Sequence, residues 1–194
     1  MLPRCVGALV GLAMLGMAGS ANAALIVDGS GNLLGATDIL VDGTLYDVEF
    51  VDGSCFDLFD GCDELADFDF TDEATAILAA QALLDQVFID GLLVSFDSDP
   101  ELTFGCGSTG LCQTFIPYAT SGLNFLAAFA LNNDGVQEDE VGLITVGVSN
   151  DFGGCCIVNF ARFTPVAVPE PSTLLLFGVG LAGLAAIRRR RRKR

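Results

Sequence analysis

Between Ala24 and Val168 the chain carries every one of its 25 acidic residues except Glu170, and a single cation, Arg162. The segment contains no Lys and no His, so its net charge is −23. Carboxylates without partners repel one another and oppose compaction. A fold built on this stretch must therefore rest on apolar burial, on cross-links and on salt screening beyond roughly 8–10 Å. Phosphate binding needs Lys or Arg, so DNA, RNA and anionic lipid are excluded as partners of the segment. Disorder is not expected, because the same stretch is rich in Val, Leu, Ile and Phe, which disordered acidic chains lack.

The apolar residues are spaced mainly for strands. Tyr46, Val48 and Phe50 alternate with Asp47 and Glu49, the period of a half-buried strand. Leu92 to Phe96, Asn124 to Leu131, Val141 to Val148 and Ile157 to Phe163 are further strand candidates, and the polar run 132–140 turns one strand into the next. One helix is expected over about 71–89. Thr71 is placed to cap it, and Asp72 and Glu73 suit the positive end of its dipole. Ile77, Ala80, Leu84, Val87 and Phe88 fall on one face, and Asp90-Gly91 ends it. The expected fold class is α+β: a mainly antiparallel β-sheet with one packed helix, disulfide-bonded. Asp-Gly pairs at 28, 42, 52, 60, 90 and 134 supply turns, since Asp accepts local amide bonds and Gly adopts positive φ. Much of the acidity is thereby explained by turns rather than chemistry.

The two ends differ from this middle. Arg4, an apolar run from Val6 to Ala18 and the small-x-small sequence Ala21-Asn22-Ala23 have the three parts of a secretory signal peptide. Cleavage between Ala23 and Ala24 divides a leader, 1–23, from an exported domain, 24–168, and implies passage through the Sec translocon and signal peptidase. Near the other end Val168, Pro169, Glu170 and Pro171 precede an apolar stretch, a transmembrane helix over about 172–187. The cations Arg188, Arg189, Arg190, Arg191, Arg192, Lys193 and Arg194 follow it, and the positive-inside rule keeps them in the cytoplasm. Gly178, Gly180 and Gly183 allow close approach of another helix. Pro-Glu-Pro, apolar helix and arginine cluster in this order, over 169–194, resemble the PEP-CTERM sorting domain of Gram-negative bacteria. The resemblance implies recognition by the membrane enzyme exosortase, a transient membrane-anchored state, cleavage near Pro169–Pro171 and delivery to the cell surface or medium. It also implies a link to exopolysaccharide and biofilm. The physical logic is that of a hydrophobic tail that holds a substrate at the membrane and is then removed.

Cys5 belongs to the leader, which leaves Cys55, Cys62, Cys106, Cys112, Cys155 and Cys156. An even number in an exported chain implies disulfides. Cys55–Cys62 and Cys106–Cys112 are the favoured local pairs, each contributing about 2–3 kcal/mol through chain entropy. The adjacent Cys155 and Cys156 would point to opposite faces of a strand, and their bridging stays open. Zinc is the competing reading, without a C-x-x-C or a His to support it.

Other motifs fail on context. Gly105 to Gly110 matches G-x-G-x-x-G, but Cys112 and Pro117 follow where a dinucleotide site needs a helix. It reads as a glycine-rich loop stapled by cysteine. Asp38, Asp42, Gly43 and Glu49 match EF-hand positions, yet Leu40 sits where a ligand is required. Asn132, Asp134, Glu138, Asp139 and Glu140 form a looser set of hard oxygen donors suited to calcium, against the simpler reading of a solvated turn. No other cofactor is expected. Without His or Lys the segment has no Ser-His or Cys-His nucleophile and no Schiff base. Paired carboxylates remain compatible with glycoside hydrolysis. Three functions follow: a non-enzymatic structural or adhesive protein of the surface or exopolysaccharide matrix, a carboxylate-based glycan hydrolase, and a calcium-dependent adhesin. The first is expected.

Overall fold

A computed structural model describes residues 23–107, 110–154 and 157–167. Seven strands form one sheet: β1 (Ala24–Val27), β2 (Leu33–Val41), β3 (Thr44–Val51), β4 (Leu111–Ser121), β5 (Asn124–Asn133), β6 (Glu140–Gly147) and β7 (Val158–Pro165). Their order is β1-β2-β3-β7-β4-β5-β6. Every pairing is antiparallel except β4 with β7, which run parallel. The sheet is thus mainly antiparallel, as expected, with one parallel pair at its centre. Two short helices of interest are α1 (Cys55–Leu58) and α2 (Glu73–Gln86).

The alternation at Tyr46–Phe50 is strand β3. The Asp42-Gly43 pair closes β2 onto β3 with φ of 45° and 80°, the geometry of a two-residue hairpin whose central residues both need positive φ. Strands β5, β6 and β7 lie where the sequence places them, and 134–139 is the turn between β5 and β6. Strand β4 was missed, because Pro117 removes an amide and reads as a break. The sheet absorbs it at a bulge between Pro117 and Ala119. Strands β1 and β2 were missed for a similar reason. Their register slips at Ile26/Val27 and between Ala36 and Ile39, and each slip breaks the period-2 pattern.

Two expectations are corrected. Leu92 to Phe96 is a loop, with Leu92 103% and Leu93 96% exposed. The Asp90 carboxylate accepts the amides of Asp97 and Ser98 at 3.1 Å, which closes the loop before a strand can form. The helix is shorter than 71–89, and its cap is Asp72 rather than Thr71: Asp72 Oδ1 accepts from the Thr75 amide at 2.9 Å. Its inward face is Ala76, Ala79, Ala80 and Leu83, with Val87 and Phe88 buried beyond its end. Ile77 and Leu84 flank that face and are only partly buried. Alanine at the contact brings the helix axis close to the sheet.

The two faces of the sheet bury separate cores. On one, α2 covers Ile39, Val48, Phe50, Ile116, Ala128, Ala161 and Phe163. On the other, the loop closed by Cys55–Cys62 covers Phe115, Phe125, Ala127 and Phe160. Apart from Val51 at the end of β3, this second cover reaches only the β7-β4-β5-β6 half. Strands β4 and β7 pair over just Gln113–Phe115 and Val158–Phe160 and then part. The chain crosses the sheet at that fork: Phe68 packs on Phe59 on one side, Phe70 on Phe163 on the other. Between them Asp69 Oδ2 accepts the Phe163 amide at 2.7 Å, replacing the ladder bond that the fork takes away.

Candidate functional site

The uncovered half of the second face is a groove of about 630 Å³ over β1, β2, β3 and β7. Strand pairing sets its side chains in two rows. Asp47 faces Thr164, and Glu49 faces Arg162. The second row continues through Gly35 to Ile26. Gly35 is obligatory, because a Cβ there would lie 2.1 Å from the Val48 carbonyl oxygen, and its bare backbone keeps the groove open between Ile26 and Glu49. Leu34 and Thr37 complete the apolar and polar lining from β2.

Arg162 is the sole cation of the 24–168 segment, and the structure puts it inside this groove. Its guanidinium carbon lies 5.7 Å from the centre of the Phe59 ring, within cation–π range. Phe59 itself is held by the Cys55–Cys62 loop. Asp69 also lines the groove. Burial of its carboxyl pushes its pKa above the ordinary value, against the Phe163 N–H bond and the Arg162 charge, which both lower it. The arrangement gives hydrogen-bond acceptors at Asp47 and Glu49, a donor fork at Arg162, and hydroxyls at Thr37 and Thr164. Chemically it can hold polar ligands by several oriented hydrogen bonds. Residue composition marked Arg162 as singular, but only pairing across β2, β3 and β7 assembles the groove.

The other candidate residues fall elsewhere. Cys55–Cys62 and Cys106–Cys112 are bonded, with Cα separations of 5.7 and 5.5 Å. The Cys106–Cys112 bond staples the glycine-rich segment, with Gly105 and Gly110 at φ of 83° and 69°; Ser108 and Thr109 lie outside the described residues. Cys155 and Cys156 lie outside the described residues. The EF-hand matches are spread along one hairpin: Asp38 lies at the β2 bulge, Asp42 and Gly43 make the turn, and Glu49 lines the groove. The calcium candidates serve the β5–β6 turn. Asn132 Nδ2 donates to the Phe96 carbonyl at 2.7 Å, Asp139 accepts the Asn133 amide at 2.9 Å, and Asp134 accepts that of Val136 at 3.2 Å. Glu138 offers Asn133 its carbonyl at 3.0 Å, and Glu140 opens β6. Among the described residues no three His, Cys, Asp or Glu side chains are grouped to hold a metal. Asp97, beside Asp139, has its pKa raised by burial first and then by the Asp139 and Asp90 charges.

Of the leader site, Ala21 lies outside the described residues. Ala23 and Ala24 lie inside, and β1 begins at Ala24. At the other end pairing persists to Pro165 opposite Tyr46, and the Val166 amide donates to the Leu45 carbonyl at 2.8 Å. The expected helix over 172–187 and the basic run lie outside the described residues. Among those that are described, no helix is long and apolar enough to cross a membrane.

A family model described as the PEP-CTERM protein-sorting motif matches residues 167–192. The chain carries a PEP-CTERM sorting signal. The match takes in Val168, Pro169, Glu170, Pro171 and Arg188 to Arg192, and ends before Lys193 and Arg194. It begins one residue after Val166. The signal marks an exported protein, processed by exosortase and routed through the membrane to the cell surface. No curated protein and no solved structure matches the chain.

Proposed function

We propose that the exported domain is a non-enzymatic protein of the cell surface or exopolysaccharide matrix, with a structural or adhesive role. The observation that carries this reading is the PEP-CTERM signal placed directly behind a disulfide-closed, strongly acidic sheet domain. The cross-links suit an oxidising exterior, and the absence of His and Lys from the domain removes the common nucleophile–base pairs. Export begins with removal of the leader after Ala23 and ends with loss of the tail near Pro169. Deleting residues 167–194 tests the reading. The truncated protein is expected in the medium and missing from the surface and matrix fractions; unchanged surface and matrix retention refutes it.

A carboxylate-based glycan hydrolase is the second reading. One observation favours it: Asp69, with a raised pKa, shares a groove with Asp47 and Glu49, and hydrolases of this kind pair a protonated with an ionised carboxyl. Against it, Asp69 already accepts the Phe163 amide. Incubation with a panel of polysaccharides decides, by release of reducing ends. None is expected, and release abolished by Glu49→Gln would establish the enzyme.

A further inference from the structure

We propose that the exported domain holds one calcium ion beneath the turn 103–106, with Asp52 Oδ1, Asn159 Oδ1 and Thr103 Oγ1 among its ligands. The site lies on the α2 side of the sheet, away from the groove, and is independent of the surface or matrix role above.

The fold buries these oxygens and leaves them without partners. Asn159 is 0% and Thr103 1% exposed. Among the described residues Asp52 Oδ1, Asn159 Oδ1 and Thr103 Oγ1 are buried with no hydrogen bond, a costly state unless something pairs with them. Asn159 alternates with Ala161 and Phe163 along β7, so it faces the α2 side. Val51 pairs with Phe160 at the end of the β3–β7 ladder, which brings the next residues, Asp52 and Asn159, together. Both press on Gly105, where a Cβ would lie 2.8 Å from Asn159 Cβ and 3.4 Å from Asp52 Cβ. The turn carrying Gly105 is fixed by two bonds: the Cys106 amide donates to the Thr103 carbonyl and the Phe104 amide to the Leu33 carbonyl, each at 2.9 Å. The orientation of the amide is settled as well. Asn159 Nδ2 donates to the Phe104 carbonyl at 2.6 Å, so its oxygen takes the other side. Asp52 Oδ2 accepts the Gly154 amide at 3.2 Å, which leaves Oδ1 with lone pairs and no donor. Asn132 Oδ1 is also unpaired, but it sits beside Cys112 on β5, with β4 between it and β7, outside this set.

The donor set selects the ion. Carboxylate and amide oxygens only accept, so the set repels anions and calls for a cation. Arg162, the segment's only cationic side chain, lies in the groove instead. Soft metals favour sulfur or imidazole; the domain has no His, and Cys106 is bonded to Cys112. Magnesium demands a near-ideal octahedron and keeps several waters, whereas calcium accepts amide, hydroxyl and carboxylate oxygens in a looser shell. A single carboxylate places the affinity at the weak end for calcium, with a dissociation constant of about 10⁻⁴–10⁻³ M, as in extracellular modules. Such a site fills outside the cytoplasm, so the ion would tie the 103–106 turn to β3 and β7 after export.

The test uses the full, oxidised chain in detergent micelles, dialysed against about 1 mM calcium with excess magnesium to occupy loose surface carboxylates. Elemental analysis and thermal unfolding are the readouts. One calcium retained per chain is expected, with a thermal midpoint above that in magnesium alone. Asp52→Asn should abolish retention. Its amide N–H would stand where the ion is placed and donate to Asn159 Oδ1, so without calcium this variant should unfold no earlier than the native chain, which separates a lost ligand from a lost fold. Thr103→Val, of the same shape, should weaken retention and, by removing an unpaired hydroxyl, leave the calcium-free midpoint unchanged or higher. Asp139→Asn, in the β5–β6 turn, should retain calcium as the native chain does. No retained calcium and a midpoint indifferent to it would show that internal water serves these oxygens, and overturns the proposal. Retention unchanged by Asp52→Asn and Thr103→Val, or lost with Asp139→Asn, overturns it too.

Discussion

The α2 face of the sheet and the opposite face are built from the same strands yet finished differently. The α2 face is closed by a helix whose contact residues are alanines and one leucine, and its core runs under the whole helix. The opposite face is closed mainly over β7-β4-β5-β6, by an eight-residue disulfide loop that carries Phe59. The difference teaches where function has room. A face sealed by close packing holds the fold together. A face sealed halfway leaves alternate residues of β3 and β7 free to be polar, and there the domain keeps its only cation.

The largest effect should come from emptying either core. Phe88→Ala just past α2 and Phe160→Ala under the disulfide loop should each cost about 3–5 kcal/mol in chemical denaturation. Equal losses show that both faces belong to one cooperative unit; a much smaller loss at Phe160 would make the disulfide side an appendage. Next is the cross-link itself. Replacing Cys55 and Cys62 by Ser should cost about 2–3 kcal/mol, and should also loosen Phe59, which packs on Phe68 and Phe160. Asp69→Ala sharpens the comparison at the point where the chain passes between faces. It orphans the Phe163 amide, worth about 1–3 kcal/mol, less whatever desolvation of the carboxylate had cost. The smallest effect belongs to the loop that the sequence misassigned: Leu92→Ser with Leu93→Ser should change stability by less than about 0.5 kcal/mol.

The pH dependence distinguishes partly desolvated carboxylates from hydrogen-bonded surface ones. Asp69 and Asp97 have raised pKa values in the fold, chiefly through burial. Between the unfolded value of 3.8 and the raised folded value the native state binds more protons than the unfolded chain, so their contribution to stability grows as pH falls through that window. Acidification also relieves the repulsion of the −23 domain. Asp28, Asp72 and Asp90 run the other way. Their pKa values are lowered by bonds from Asn32, Thr75 and Ser98 respectively, and their contributions are lost below the ordinary carboxylate range. The thermal midpoint should therefore rise from neutral to mildly acid pH and fall again below about pH 3.8. Asp69→Asn should flatten the rising limb, which thermal scans across pH will check.

Sequence legibility followed local physics. Strand β3 was readable because Tyr46, Val48 and Phe50 keep period 2 against a single buried core. The Asp42-Gly43 turn was readable because two positive φ values leave few other residues as candidates, and the two disulfides because a six- or seven-residue spacing brings the sulfurs together in many backbones. The helix was placed but rotated, since Ile77 and Leu84 outrank alanine in hydrophobicity while close packing favours alanine. Strands β1, β2 and β4 were hidden by bulges and by Pro117, features that only a partner strand can accommodate.

The groove shows the limit most directly. Asp47 and Glu49 read as the outward side of a strand, and Arg162 as a lone cation; nothing local relates positions 47 and 162. By itself the sequence determined the export address, the acidic balance and the staples, because these rest on composition and short-range spacing. Only the tertiary structure decided that the last strand, β7, enters the sheet's centre beside β3, because that pairing is a long-range contact whose partners are selected by shared burial and not by neighbouring residues.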